Sequence, residues 1–69
     1  MLLGSKIKLY LASRGITQAF IVEKTNISAS KLSAMLNGDR KILAEEYFLI
    51  CKALNVQYDF FNIDETKVS

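Results

Sequence analysis

The stretch from Gly15 to Gly38 constrains this chain more than any other. It holds two helix starts of one design. Thr17 follows Ile16, and Ser28 follows Ile27. Each hydroxyl stands where it can accept a hydrogen bond from a free amide of the first helical turn. The apolar residue before each hydroxyl has an apolar partner at the fourth helical position, Ile16 with Ile21 and Ile27 with Leu32. Such a staple fixes the angle at which the chain runs into its helix. Between the two helices, Thr25-Asn26-Ile27 leaves room for a short turn, and Asn tolerates the left-handed conformation a turn needs.

Composition narrows the rest. Sixty-nine residues allow one domain, near the lower limit for folding without staples. An apolar fraction of 51%, no Pro and three Gly, without a long alternating pattern, predict an all-α chain. The single Cys51 excludes an intrachain disulfide framework, and the absence of His leaves structural zinc short of ligands and catalysis short of its usual proton shuttle. No cofactor and no small-molecule substrate is expected, and nothing points to an enzyme. The apolar run Tyr47–Cys51 is far too short to span a bilayer, and the N-terminus lacks a signal-peptide pattern, so a cytoplasmic protein without a membrane partner is expected. Charge is uneven. Residues 1–41 hold seven Lys/Arg against Glu23 and Asp39, giving +5, whereas residues 42–69 hold two against five acids, giving −3. A polyanion is drawn to the first part and held off the second, although solvated helix faces explain the same charges.

Periodicity predicts a first helix over about 4–14, with Ile7, Leu11 and Tyr10 inward, Lys6, Lys8 and Arg14 outward, and Leu9 off the core stripe. A second helix over about 18–25 buries Ile21 and Val22 and partly covers Phe20. A third covers about 29–37, with Leu32, Met35 and Leu36 on one side and Ser30, Ser33, Ala34 and Asn37 on the other. A fourth, over about 44–54, turns Tyr47, Ile50, Cys51 and Leu54 inward, which makes Cys51 a small buried hydrophobe. A last turn or short helix is expected at about 58–62, its aromatics capping the core, with residues 64–69 a frayed tail. The expected domain is residues 1–63.

Two short helices joined by such a turn form a helix-turn-helix. Gly15, Ile16, Thr17, Gln18, Ile21, Ile27, Ser28, Leu32, Ser33, Met35, Asn37 and Gly38 fit or nearly fit one pattern. It resembles the repressor/Cro-type (XRE-like) helix-turn-helix regulators of phage and bacteria, and the resemblance covers about residues 6–61. It implies a compact bundle of four to five short helices of the lambda-repressor-like type. Departures from the pattern are Val22 for a small Ala, Asn26 for a turn Gly, and Leu11 and Leu36 where many relatives pair an Arg with a Glu. Replacing both partners of a buried ion pair with apolar groups is often neutral or stabilising, whereas losing one strands a charge. The joint change reads as the same scaffold with a drier core.

The resemblance implies that the third helix enters the major groove of double-stranded DNA, with Ala29, Ser30, Lys31, Ser33 and Ala34 facing bases. Serines on that small polar face can donate to or accept from either kind of base pair. Residues that discriminate sharply are scarce there: Lys31 and Asn37 are the candidates, and Asn37, near the helix end, is expected to meet backbone. Modest base specificity follows. Thr17 and Gln18 stand at a helix N-terminus, a natural phosphate site, and the resemblance gives Gln18 a phosphate clamp; a solvent-exposed Gln is the plain alternative. Arg40 and Lys41, just past the third helix, are placed to grip phosphate or else are simply solvated. Leu9, Phe48, Leu49 and one of Phe60 or Phe61 are spare apolar surface. They are either scattered exposures or a homodimer contact that would set two recognition helices about 34 Å apart. The leading expectation is a sequence-selective DNA-binding repressor or switch of phage, mobile-element or bacterial origin. The alternative is a protein-interaction module such as an antitoxin or anti-repressor.

Overall fold

Four helices carry the described chain, residues 2–61 of a computed structural model. They are α1 (Leu3–Arg14), α2 (Gln18–Thr25), α3 (Ala29–Leu36) and α4 (Ala44–Leu54). Among the described residues there is no strand, and the architecture is the all-α bundle expected. The two hydroxyl caps form: Thr17 Oγ1 accepts from the Phe20 N–H at 3.1 Å, and Ser28 Oγ accepts from the Lys31 N–H at 3.2 Å. Gly15 closes α1 at φ +69° and Asn26 closes α2 at φ +65°. A left-handed residue at each end lets the chain reverse without a long loop.

The turn between α2 and α3 has a second fastening that sequence inspection missed. Thr25 is buried, its hydroxyl donating to the Ile21 carbonyl at 2.7 Å and accepting from the Ile27 N–H at 3.2 Å. One side chain thus ties the last turn of α2 to the chain leaving it and pairs the buried Ile27 N–H, which would cost about 1–3 kcal/mol if left unsatisfied.

Ile7, Leu11, Ile21, Ile27, Leu32, Met35, Leu36, Tyr47, Ile50, Cys51 and Phe61 make one continuous core. Helix α3 packs on α1 and α2, and α4 on α2. Leu11 and Leu36 are both buried in that core, 3% and 1% exposed, in keeping with a dry interior at these two positions. Cys51 is fully covered, and burial pushes its thiol above the ordinary range against a smaller lowering by a Tyr47 hydrogen bond. Val22 is only half-buried, at the margin of the core rather than within it.

Two expectations are corrected here. Lys6 does not simply face water: it is half-buried and its Nζ donates to the Phe61 carbonyl at 3.3 Å, tying α1 to the end of the described chain. Phe61 is not dimer surface but core, 6% exposed against 47% for Phe60. Its ring meets Tyr10 edge-on at 5.5 Å and Tyr47 at 6.4 Å, within the favourable range for aromatic pairs. Residues 58–61 form a turn, with the Phe60 N–H donating to the Gln57 carbonyl at 3.0 Å. The Tyr47 hydroxyl donates to the Tyr58 carbonyl. Positions 62–69, including the expected tail, lie outside the described residues.

Gly4 sets how closely α1 approaches α3. A Cβ there would run into the Met35 carbonyl oxygen and lie 3.2 Å from the Leu36 Cα, both backbone atoms that cannot swing aside. Gly4→Ala therefore forces the helices apart and is expected to lower stability by about 1–3 kcal/mol despite alanine's better helix propensity. Urea unfolding of the two proteins measures it. A gain in stability would contradict the contact.

Candidate nucleic-acid interface

Helix α3 shows two unlike sides. Leu32, Met35 and Leu36 are 0–1% exposed. Ala29, Ser30 and Lys31 are exposed, Ser33 and Ala34 half-buried, and Asn37 exposed just past the last turn. The side turned from the core is therefore small-sided and mostly uncharged, open at Ala29, Ser30 and Lys31 and partly covered at Ser33 and Ala34. Beside it, Thr17 and Gln18 stand exposed at the start of α2, and Lys41 is exposed in the loop after α3. Gly38 turns the chain out of α3 at φ +83°, a conformation that glycine adopts without strain.

Arg40 is placed differently from the solvated or phosphate-gripping cation considered above. Its Nη1 meets Glu46 Oε1 at 2.9 Å and the Lys41 carbonyl at 3.2 Å, with the side chain 32% exposed. Glu46 in turn accepts from the Leu43 N–H at 2.9 Å, capping the first turn of α4. Leu43 has no polar side chain to return the favour, so this is half of a capping box. Arg40 thus braces the α3–α4 loop against α4. The remaining edge of its guanidinium is what could reach a phosphate.

A second cross-link was also illegible in sequence. Lys8 Nζ donates to Asn37 Oδ1 at 2.7 Å, and Asn37 Nδ2 faces Ser33 Oγ at 3.5 Å. Helix α1 is thereby pinned to the end of α3. On the far side, Phe48 and Leu49 of α4 are half-exposed, as is Phe60, while Phe48 stacks at 4.5 Å on Tyr58 and Phe60 meets Tyr10 at 5.0 Å. Leu9 is 57% exposed, and Leu2, Leu43 and Tyr58 add open apolar surface that the periodicity did not single out.

Among the described residues, no group of three His, Cys, Asp or Glu side chains gathers where a metal could be held. Also among them, no helix is long and apolar enough to cross a membrane.

Two capped helices at a tight turn, the second presenting a small polar side, define the helix-turn-helix class. A family model described as helix-turn-helix matches residues 7–61, and the chain belongs to that family, of the Cro/C1 (XRE-like) type. It is a DNA-binding helix-turn-helix regulator, of a family that is generally not enzymatic. No curated protein and no solved structure matches the chain.

The Arg40–Glu46 brace carries a pH signature. The Arg40 hydrogen bond first, and then the Leu43 amide, hold the Glu46 carboxyl below the usual range. A carboxyl with a depressed folded pKa contributes stability above its unfolded value, and loses it as pH falls through the folded one. In Glu46→Gln the side chain can still cap but not pair. Wild type should therefore exceed the variant in unfolding midpoint above about pH 5, the gap closing as pH falls below about 4. Thermal unfolding of both across that range checks the sign, and a gap that widens on acidification would reverse it.

Proposed function

We propose that this chain binds double-stranded DNA sequence-selectively as a cytoplasmic homodimer. It acts as a small repressor of the phage, mobile-element or bacterial kind, by occupying an operator that polymerase needs. The observation that carries the reading is the two-sided character of α3: its core side is wholly buried and its other side is small-sided, mostly uncharged and open at Ala29, Ser30 and Lys31. A small-sided helix can lie close to base edges in the major groove, which is wide enough to admit it. Ala29, Ser30, Lys31, Ser33 and Ala34 supply the base contacts.

Thr17, Gln18, Asn37 and Lys41 take phosphates and set register. Arg40 adds its free edge, while its bond to Glu46 makes it a weaker phosphate ligand than Lys41. The excess of Lys and Arg over acids in residues 1–41 draws the polyanion toward the helix-turn-helix part of the chain. Phe48, Leu49 and Phe60 form the contact between two copies, with Phe61 beneath them as support. A twofold pair sets two α3 helices one duplex turn apart and adds the avidity that a single small module lacks.

Salt tests the reading. A homodimer neutralising about four phosphates, through Arg40 and Lys41 of each copy, loses roughly a hundredfold in affinity between about 50 and 200 mM salt. The triple variant Gln18→Ala/Lys31→Ala/Lys41→Ala should bind every duplex more weakly and with a shallower salt slope, whereas Ser33→Ala should change the preference among sequences. Titration of labelled duplexes selected from a random pool measures both. Equal binding by wild type and the triple variant would refute this face.

A further inference from the structure

We propose that Lys8 of α1 is a specificity-positioning residue. Through Asn37 it fixes the direction in which the Ser33 hydroxyl donates, so that α3 favours base edges offering an acceptor at that position. The proposal rests on the reading of α3 as the helix that enters the groove.

Its basis is the directionality of three side chains. Lys8 Nζ approaches Asn37 Oδ1 at 2.7 Å, across 29 residues of sequence. An ammonium group has donors and no acceptor. It therefore holds the Asn37 amide with its oxygen toward α1 and its NH₂ on the other side. That NH₂ lies 3.5 Å from Ser33 Oγ, a long bond whose polarity is nonetheless fixed, because Nδ2 has only hydrogens to offer. Asn37 is itself steady, its backbone N–H donating to the Ser33 carbonyl at 3.0 Å at the helix end. Ser33 Oγ is thus the acceptor toward Asn37, and its single proton points elsewhere.

Sequence alone left the serines able to serve either kind of base pair; this relay narrows Ser33. Facing a groove, it is set to donate to guanine N7 or O6, adenine N7 or thymine O4. It is ill-matched to the cytosine N4 amino group, which itself donates. The second lone pair of the hydroxyl stays available, so the effect is a bias and not a bar.

The experiment has a DNA-free arm and a DNA arm. Lys8→Met keeps the aliphatic stem and removes the donor. In nitrogen-resolved NMR spectra of the free protein, it should move the Asn37 side-chain amide resonances while the backbone pattern of a folded chain persists. In binding, duplexes selected from a random pool are varied one base pair at a time. The position at which Ser33→Ala flattens the preference is the one that Ser33 reads. Lys8→Met should cut discrimination there from about fivefold to below about twofold. Lys8→Arg, which still donates, should retain most of it, and Lys8→Met/Ser33→Ala should add nothing beyond Ser33→Ala.

Two results would overturn the relay: Asn37 amide resonances that ignore Lys8→Met, or a uniform loss of affinity with a shallower salt slope, which makes Lys8 an ordinary phosphate contact. Wild type that selects no duplex would sink the groove reading and the proposal together, even with the NMR shifts as expected.

Discussion

Everything on this surface depends on the burial of one side of α3. Eight residues make too few internal hydrogen bonds to hold a helix in water, so its persistence and its aim both come from packing. Leu32, Met35 and Leu36 leave almost nothing to solvent, and α3 is packed between α1 and α2. The Ser28 cap and the Ile27 staple fix one end; Gly38 and Asn37 fix the other. A helix so constrained cannot rotate to offer a different face. The open side is therefore as well determined as the core, though it has no packing of its own.

The neighbouring elements act as braces. Thr25 holds the turn before α3, and Arg40 with Glu46 holds the loop after it against α4. Lys8 reaches from α1 to the last turn, and Lys6, two residues away, ties α1 to Phe61. Polar side chains thus fasten the points where the chain changes direction, while apolar ones fill the interior. That division suits a small domain, whose core supplies little surplus stability. Each brace contributes modestly, and together they set the geometry of the interface rather than its strength.

Much of this was legible in the sequence because it is local. Thr17, Ser28, Gly15 and Asn26 act within a few residues of themselves, through caps and left-handed turns, and the helix periodicities follow from 3.6-residue geometry. What escaped was set by side-chain geometry that no periodicity encodes, some of it across the chain and some, as at Thr25 and Arg40, within a few residues. Gly4 carries no signal in the string, and its role shows only with the Met35 backbone against it. Arg40 reads as a free cation until α4 brings Glu46 to it. Nothing in the string distinguishes Phe60 from Phe61, since adjacent aromatics differ only in which one the final turn points inward. On the site itself, the residue types on α3 could be read from the wheel. The hydrogen-bond direction imposed on Ser33 by Lys8 and Asn37 could not.

Leu11 on α1 and Leu36 on α3 both lie in the dry core, and this bears on how such a molecule answers its surroundings. A buried ion pair at that junction would be screened little by salt but would titrate in acid, stranding one charge as its partner neutralised. With leucine on both sides, added electrolyte releases the duplex while leaving the carrier intact, and even tightens it where the salt is one that strengthens apolar burial. At this junction grip and integrity thereby answer to separate dials, whereas the Arg40–Glu46 brace still feels the first of them.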